Sequence, residues 1–288
     1  MTFMKNADSS GNDKLIPSST AGPVNSFFST PSSERAGDRT APAAKLRRRT
    51  VSPGDVIELV VLVHSPSVGP STWEAVAHQL RKQHIDVIVP SLREVADADP
   101  PSGPIVLACV RSALRDAARM RPLTVVVHSN AGYFAPILAL DPDMRVTSLI
   151  FVDASLPSTS GSSALAQPEL LAFLRDQAID GVLPPWTTWW PDEEAARLFP
   201  DRETMRRFQR DEPRLPLAYY EQAVPAPAGW DDRHCAFLLY SDAYAPTAEV
   251  ARGRGWPVEA IAGEHLHMLV DPAATANAII RLAQARNH

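Results

Sequence analysis

Leu123-Thr124-Val125-Val126-Val127-His128-Ser129-Asn130-Ala131-Gly132-Tyr133-Phe134 decides how the rest of the chain is read. Residues 123–127 form an apolar, β-branched run of strand length, the composition of a strand buried on both faces. The chain then turns through Ser129 and two small residues, Ala131 and Gly132, and a helical segment is expected over Phe134–Leu140. A serine at such a strand–turn–helix corner sits on a strained backbone that lifts its hydroxyl to the end of a parallel sheet, and only small neighbours fit there. The usual spacing around that corner is G-x-S-x-G. Here Val127 and Ala131 stand in the two glycine positions, so the assignment depends on what lies upstream and downstream.

Composition bounds the alternatives. The chain has 288 residues, 45% hydrophobic and 21% charged, which suits one medium-sized globular domain with an appendage. A net charge of −5 gives no electrostatic footprint for nucleic acid. Cys109 and Cys235 are too few and too far apart for a disulfide framework and read as a reduced, intracellular pair. No apolar run reaches the ~20 residues of a membrane span, and no signal-peptide core is visible. The expectation is therefore a soluble, cytoplasmic protein, monomer or homodimer, that acts on a small-molecule substrate with no nucleic-acid or membrane partner and no cofactor.

Residues 1–52 are rich in Ser, Thr, Pro, Ala and Gly and carry a short basic cluster, Lys45–Arg49; this segment is expected to be disordered. Order begins at Ile57–Val63, a buried strand that ends in the loop His64-Ser65-Pro66-Ser67-Val68-Gly69-Pro70. Trp73, Val76, Ala77 and Leu80 mark one face of a helix. A strand over Ile85–Val89, a helix through Val106, Val110, Ala113 and Ala117, the residue 123 strand and a strand over Thr147–Val152 follow. Strands alternating with helices imply an α/β architecture with a mostly parallel sheet flanked by helices. The alternation stops between residues 156 and 234, where no strand is evident and helices are expected over 168–178, 192–199 and 202–209. It resumes with strands at 236–240 and 258–261 and helices at 245–252 and 272–285. The organisation read from this is a core of residues 53–155 and 235–288 with a helical lid, 156–234, inserted after the sixth strand of the fold.

Ser129 needs a base to take its proton, and that base needs an acid to orient it. The loop between the last strand and the last helix holds two candidate bases, His265 and His267; His265, directly after Gly263-Glu264, is favoured. The acid is expected after the 236–240 strand, at Asp242, with Asp153 as the alternative. The developing oxyanion calls for backbone donors from Asn130 and from the Ser65-Pro66 loop. His128 reads as a packing residue pointing away from the pocket. Trp186, Trp189, Trp190 and Tyr219 in the lid are candidate walls for an apolar substrate. No phosphate loop and no metal-ligand spacing is visible.

The order of Val63-His64-Ser65-Pro66 with Gly69 and Trp73, then Val127-His128-Ser129-Asn130-Ala131-Gly132, then Phe151-Val152-Asp153-Ala154-Ser155, then Gly263-Glu264-His265, resembles the α/β-hydrolase superfamily. It is most similar to the branch of small carboxylesterases and hydroxynitrile lyases. The resemblance implies an α/β-hydrolase fold and an esterase-, thioesterase- or lactonase-type serine hydrolase, with a lyase or cyclase, or a non-catalytic binding protein, as the other outcomes. Two departures stand out. Pro66 occupies the place of an oxyanion donor and has no N–H. The Gly-x-x-Asp turn of the family is replaced by Ser241-Asp242-Ala243-Tyr244.

Overall fold

The computed structural model describes residue 57 and residues 59–285, with the side chains of residues 116–119 left aside; the 1–52 extension lies outside the described residues. Eight strands and nine α-helices follow one another along the described chain. They are β1 (Leu59–Val63), α1 (Ser71–Lys82), β2 (Asp86–Ile88), α2 (Ser102–Arg119, interrupted at Arg115), β3 (Leu123–Ser129), α3 (Ala135–Ala139) and β4 (Val146–Ala154). Then come β5 (Ser162–Ala164), α4 (Pro168–Gln177), α5 (Asp192–Arg197), α6 (Arg202–Gln209) and β6 (Ala223–Pro225). The chain closes with β7 (His234–Leu239), α7 (Ala245–Gly253), β8 (Val258–Ala260), α8 (His267–Val270) and α9 (Pro272–Gln284).

Six strands form one sheet in the order β2-β1-β3-β4-β7-β8, every neighbouring pair parallel. β1 and β3 are buried at every position, as strands between two helical layers must be. α1 presents Trp73, Val76, Ala77 and Leu80 to the core, the face its apolar spacing marks out. α1 packs on α9, and α9 runs along β4, β7 and β8. α2 and α3 pack together, with α3 against β4.

The insertion between β4 and β7 departs from the sequence reading in two ways. It follows the fourth described strand, not a sixth. It also contains a small antiparallel ribbon, β5–β6, that pairs residues some sixty positions apart. Ser, Ala and Pro carry no strand signature in sequence. The ribbon exists because both ends of the insertion must return to the same end of the sheet. No described helix is long and apolar enough to cross a membrane.

The sheet places its strand ends together. Ser129 closes β3, Asp153 lies near the end of β4, Tyr240–Tyr244 follows β7, and the loop 261–266 follows β8. Parallel strands all deliver their C-terminal ends to one rim, which is where open α/β sheets bind ligands.

Candidate active site

Ser129 adopts φ 56°, ψ −129°, a conformation that L-residues avoid, between the extended β3 and the 3₁₀ turn Asn130–Phe134. The turn is held against β4, where Ser155 N–H donates to the Ser129 carbonyl at 3.1 Å. The approach is so close that a Cβ at Gly132 would stand 2.0 Å from the Ser155 carbonyl oxygen. The small residue this corner requires is therefore Gly132, one position beyond the usual spacing, and buried Ala131 accompanies it. Gly132→Ala is expected to destabilise the fold by about 3 kcal/mol, at the upper end of the overpacking range because backbone must move. Denaturant unfolding measures this, and a loss under about 1 kcal/mol would show that the contact relaxes.

β4 carries one residue more than β3 at this point. Val152 pairs with His128 and Ala154 with Ser129, so Asp153 bulges out of the register, at φ 41°. A bulge re-aims a side chain. Here it turns the Asp153 carboxylate, wholly buried, toward the end of β7. Oδ1 accepts from the amides of Tyr240 (2.8 Å) and Ser241 (3.1 Å). Oδ2 accepts from the Ser241 hydroxyl (2.6 Å) and lies 3.0 Å from His265 Nδ1. Four donors fill the acceptor capacity of an ionised carboxylate, which is what keeps a buried charge tolerable.

The structure therefore brings Asp153, not Asp242, to His265. Asp242 is exposed at the head of the turn after β7. The register bulge in β4 is the reason: it supplies an acid one strand earlier, and the β7 turn is left to bind that acid through its amides. His267 opens α8 with its ring 5.5 Å from that of Tyr240, and it makes no contact of this kind with Asp153.

His265 is packed on both sides. Tyr244 lies parallel to it (4° between planes, centroids 5.1 Å apart), and His128 is tilted against it at 4.5 Å. Trp186 is the third ring, at 6.3 Å. His128, next to Ser129, is buried and packs between Trp73 and His265. Its Nε2–H donates to the His265 carbonyl at 3.1 Å. Burial, reinforced by the adjacent His265, pushes its pKa well below the usual imidazole value, so it stays neutral. Nothing in the sequence marks this role, because the contact spans 137 positions.

The loop after β1 forms the other wall. Ser65 C=O accepts from Val68 N–H at 3.1 Å, making a turn with Pro66 in its second position, where a fixed φ is favoured. His64 stiffens this turn, with Nδ1–H donating to the Ser65 carbonyl (2.8 Å) and Nε2 accepting from Leu92 N–H (3.2 Å). Burial lowers the His64 pKa to about 4, which preserves that neutral tautomer at ordinary pH. The Ser65 and Ser67 hydroxyls are 3.5 Å apart, and Ser67 Oγ is 2.5 Å from the Tyr220 hydroxyl.

The insertion is sewn to these walls by polar contacts. Tyr219 O–H donates to Asn130 Oδ1 (2.5 Å), and Asn130 Nδ2 donates to the Leu165 carbonyl (2.8 Å). Asp211 accepts from Ser71 N–H and Oγ at the start of α1, and Gln222 exchanges hydrogen bonds with Ser102 at the start of α2. Of the four aromatic residues picked out as walls, Trp186 is in ring contact with His265. Trp190 stacks edge-on against Trp186 at 4.9 Å, Trp189 donates to the Pro184 carbonyl, and Tyr219 is a fully buried brace for Asn130.

A strained serine at the end of the third strand, a buried His–Asp pair at the same rim and a parallel sheet with a helical insertion define the class. Residues 58–269 match the family model described as alpha/beta hydrolase fold, and the chain belongs to that family. No curated protein matches it in sequence. Among solved structures it is similar to an extracellular α/β-hydrolase from a Paenibacillus species, described as sharing homology with tobacco salicylic acid binding protein 2. The identity is 15%, the TM-score 0.61, and the match covers 78% of this chain and 98% of that one. A pyrethroid hydrolase from Sphingobium faniae JZ-2 aligns at 16% identity and TM-score 0.57 over 80% of this chain and 98% of its own. A variant of tomato methylketone synthase I complexed with beta-ketoheptanoate aligns at 12% identity and TM-score 0.61, covering 79% and 97%. At these identities the likeness is one of fold.

Proposed function

We propose that the chain is an esterase-type serine hydrolase that works through an acyl-enzyme on Ser129, with His265 as base and Asp153 as the acid. The observation that carries this reading is the buried 3.0 Å contact between His265 Nδ1 and Asp153, at the sheet rim where Ser129 holds the strained conformation of a nucleophile corner. With Nδ1 held by the carboxylate, Nε2 is the nitrogen that takes the Ser129 proton. Ser129 Oγ then attacks the substrate carbonyl, Asp153 stabilises the imidazolium, and Asn130 N–H faces the oxyanion. His265 returns its proton to the leaving group, and water repeats the sequence to release the acid.

The side chains around Ser129 and His265 support an uncharged, largely apolar substrate. Trp186, His128, Tyr244 and Ser155 carry no charge, since burial keeps the imidazole of His128 and the phenol of Tyr244 neutral. The insertion, sewn to both walls, serves as a lid that sets acyl-group size through Trp186 and Trp190. A pyrethroid hydrolase among the structural neighbours supports a hydrolytic reading. A lyase in which His265 acts as general base is the second reading, favoured by Pro66 alone, because a reaction with no tetrahedral oxyanion needs no second donor.

A fluorophosphonate probe with mass-spectrometric mapping tests the proposal. Labelling at Ser129 that is lost in Ser129→Ala and His265→Ala is expected, together with turnover of short-chain p-nitrophenyl esters. A folded chain that does not label, or labels elsewhere, overturns it. Labelling without ester turnover favours the lyase.

A further inference from the structure

The turn after α6 carries two consecutive carboxylates, Asp211 and Glu212, and each grips a different part of the molecule. Asp211 holds the core. It accepts from Ser71 N–H (2.9 Å) and Ser71 O–H (2.7 Å) at the start of α1. The fit is so close that a Cβ at Gly69, in the loop after β1, would stand 2.2 Å from the Asp211 carboxyl carbon. Glu212 holds the insertion. Its Oε1 accepts from Thr187 N–H and its Oε2 from Thr187 O–H, both at 2.8 Å. Gln209, the last residue of α6, donates to the same Thr187 oxygen at 3.3 Å. Thr187 is buried in the middle of the 3₁₀ turn Trp186–Thr188. The preceding Trp186 is the ring that meets His265 at 6.3 Å, and it leans on Phe208 of α6 at 6.2 Å. The wall of the site is thus tied, through Thr187, Glu212 and Asp211, to the loop after β1.

We infer that Glu212 is a positioning residue that clamps the Trp186 turn over His265 and so sets the size of acyl group the site accepts. This inference rests on the serine-hydrolase reading and deepens it. Glu212 acts through Thr187 and Trp186, not on the reacting atoms. A single 3₁₀ turn has poorer hydrogen-bond geometry than an α-helix, so an outside clamp decides where its indole stands. The carboxyl is suited to that task because it meets both polar groups of one residue at once. Burial pushes Glu212 up to about 7, against the pull of its two bonds to Thr187. The clamp serves in either form. An ionised carboxyl accepts from the N–H and the O–H, and a neutral one accepts from the N–H and donates to Oγ1. Take both oxygens away, and Thr187 is left with a buried N–H and O–H that lack an acceptor. Such groups are costly to leave unpaired, so the turn shifts to reach water and Trp186 moves with it. The pocket then loses the fixed stop that makes a long acyl chain harder to seat than a short one.

Glu212→Leu keeps much of the volume and removes both oxygens. The ratio of kcat/KM for p-nitrophenyl hexanoate to that for p-nitrophenyl acetate is expected to move at least about tenfold toward hexanoate, the scale on which an apolar pocket discriminates a methylene. The change lies in KM, with kcat on the acetate within about threefold of the unmutated chain. Glu212→Gln, which reproduces the donor and acceptor of the neutral carboxyl, holds the ratio within about twofold of its original value. Thr187→Val moves the ratio in the same direction as Glu212→Leu, and the two together move it no further than Glu212→Leu alone, because both break one contact. A folded Glu212→Leu whose ratio is unchanged or moves toward acetate, or that slows both esters by the same factor, overturns the inference and leaves the triad intact. A Glu212→Gln ratio displaced as far as that of Glu212→Leu overturns it too. Should Glu212→Leu fail to fold, Thr187→Val carries the test, and an unchanged ratio there overturns the inference. If the unmutated chain neither labels with the fluorophosphonate nor turns over either ester, the serine-hydrolase reading falls and this inference with it.

Discussion

Asp153→Asn is expected to lower kcat/KM by about four orders of magnitude, the usual cost of replacing the triad acid by its amide, while Asp242→Asn leaves it within about twofold. The asymmetry follows from the four contacts of the Asp153 carboxylate. An asparagine fits the same bulge and can still accept from the Tyr240 and Ser241 amides through Oδ1. Its amide nitrogen then replaces Oδ2, facing the Ser241 hydroxyl and His265 Nδ1. An N–H aimed at Nδ1 forces the imidazole into the tautomer that carries its proton on Nε2. That nitrogen is then occupied and cannot take the proton of Ser129. The fold survives because size and most contacts are kept, so the loss falls on kcat. Asp242 is exposed and makes no such contact, and its amide changes only surface charge. Initial rates on a p-nitrophenyl ester, or the fluorophosphonate labelling rate, measure both variants. A collapse in Asp242→Asn with Asp153→Asn unimpaired would return the acid to the loop after β7.

The position of that acid shows where sequence reading reaches its limit in this chain. β1, β3 and β4 are apolar runs, α1 carries its apolar face at helical spacing, and the 261–266 loop places His265 at the correct rim. Each is a local property of consecutive residues, and each was legible. The bulge at Asp153 is not local. It is a mismatch of one residue between β4 and β3, and it becomes visible only once Val152 is paired with His128 and Ala154 with Ser129. In a strand buried on both faces there is no polar–apolar alternation to break, so the extra residue leaves no trace. The β5–β6 ribbon, the His128 contact with the His265 carbonyl and the Tyr219 brace on Asn130 escape for the same reason: each joins residues far apart through the closed fold. The displaced glycine is intermediate. Gly132 was in view as a small neighbour, but only the 2.0 Å approach to the Ser155 carbonyl identifies it as the position where a side chain cannot stand.

Pro66→Ala is expected to raise kcat by about a hundredfold, the lower end of the cost of deleting one oxyanion donor. Pro66 is buried in the second position of the Ser65–Val68 turn, which follows β1 at the rim where the neighbouring β3 ends in Ser129. The turn does not need the pyrrolidine ring to close. The Ser65 carbonyl is held by Val68 N–H and by His64 Nδ1–H, and alanine adopts the φ that proline enforces. The amide in that position takes no part in the turn's own hydrogen bond, so the N–H that alanine restores is available to a ligand. The neighbouring amide cannot deputise as well, because Ser67 N–H is directed at the Ser65 hydroxyl at 3.4 Å. Loss of the proline adds unfolded-state entropy and costs about 0.4–1 kcal/mol of stability, which denaturant unfolding separates from the kinetic effect. A donor that meets charge present only in the transition state raises kcat and tightens a trifluoromethyl ketone, which forms a tetrahedral adduct, while leaving KM nearly unchanged. An unaltered rate would mean that the Ser65 or Ser67 hydroxyl, linked to Tyr220, already fills the second half of the hole. In that case Ser65→Ala, neutral in the first outcome, would carry the loss.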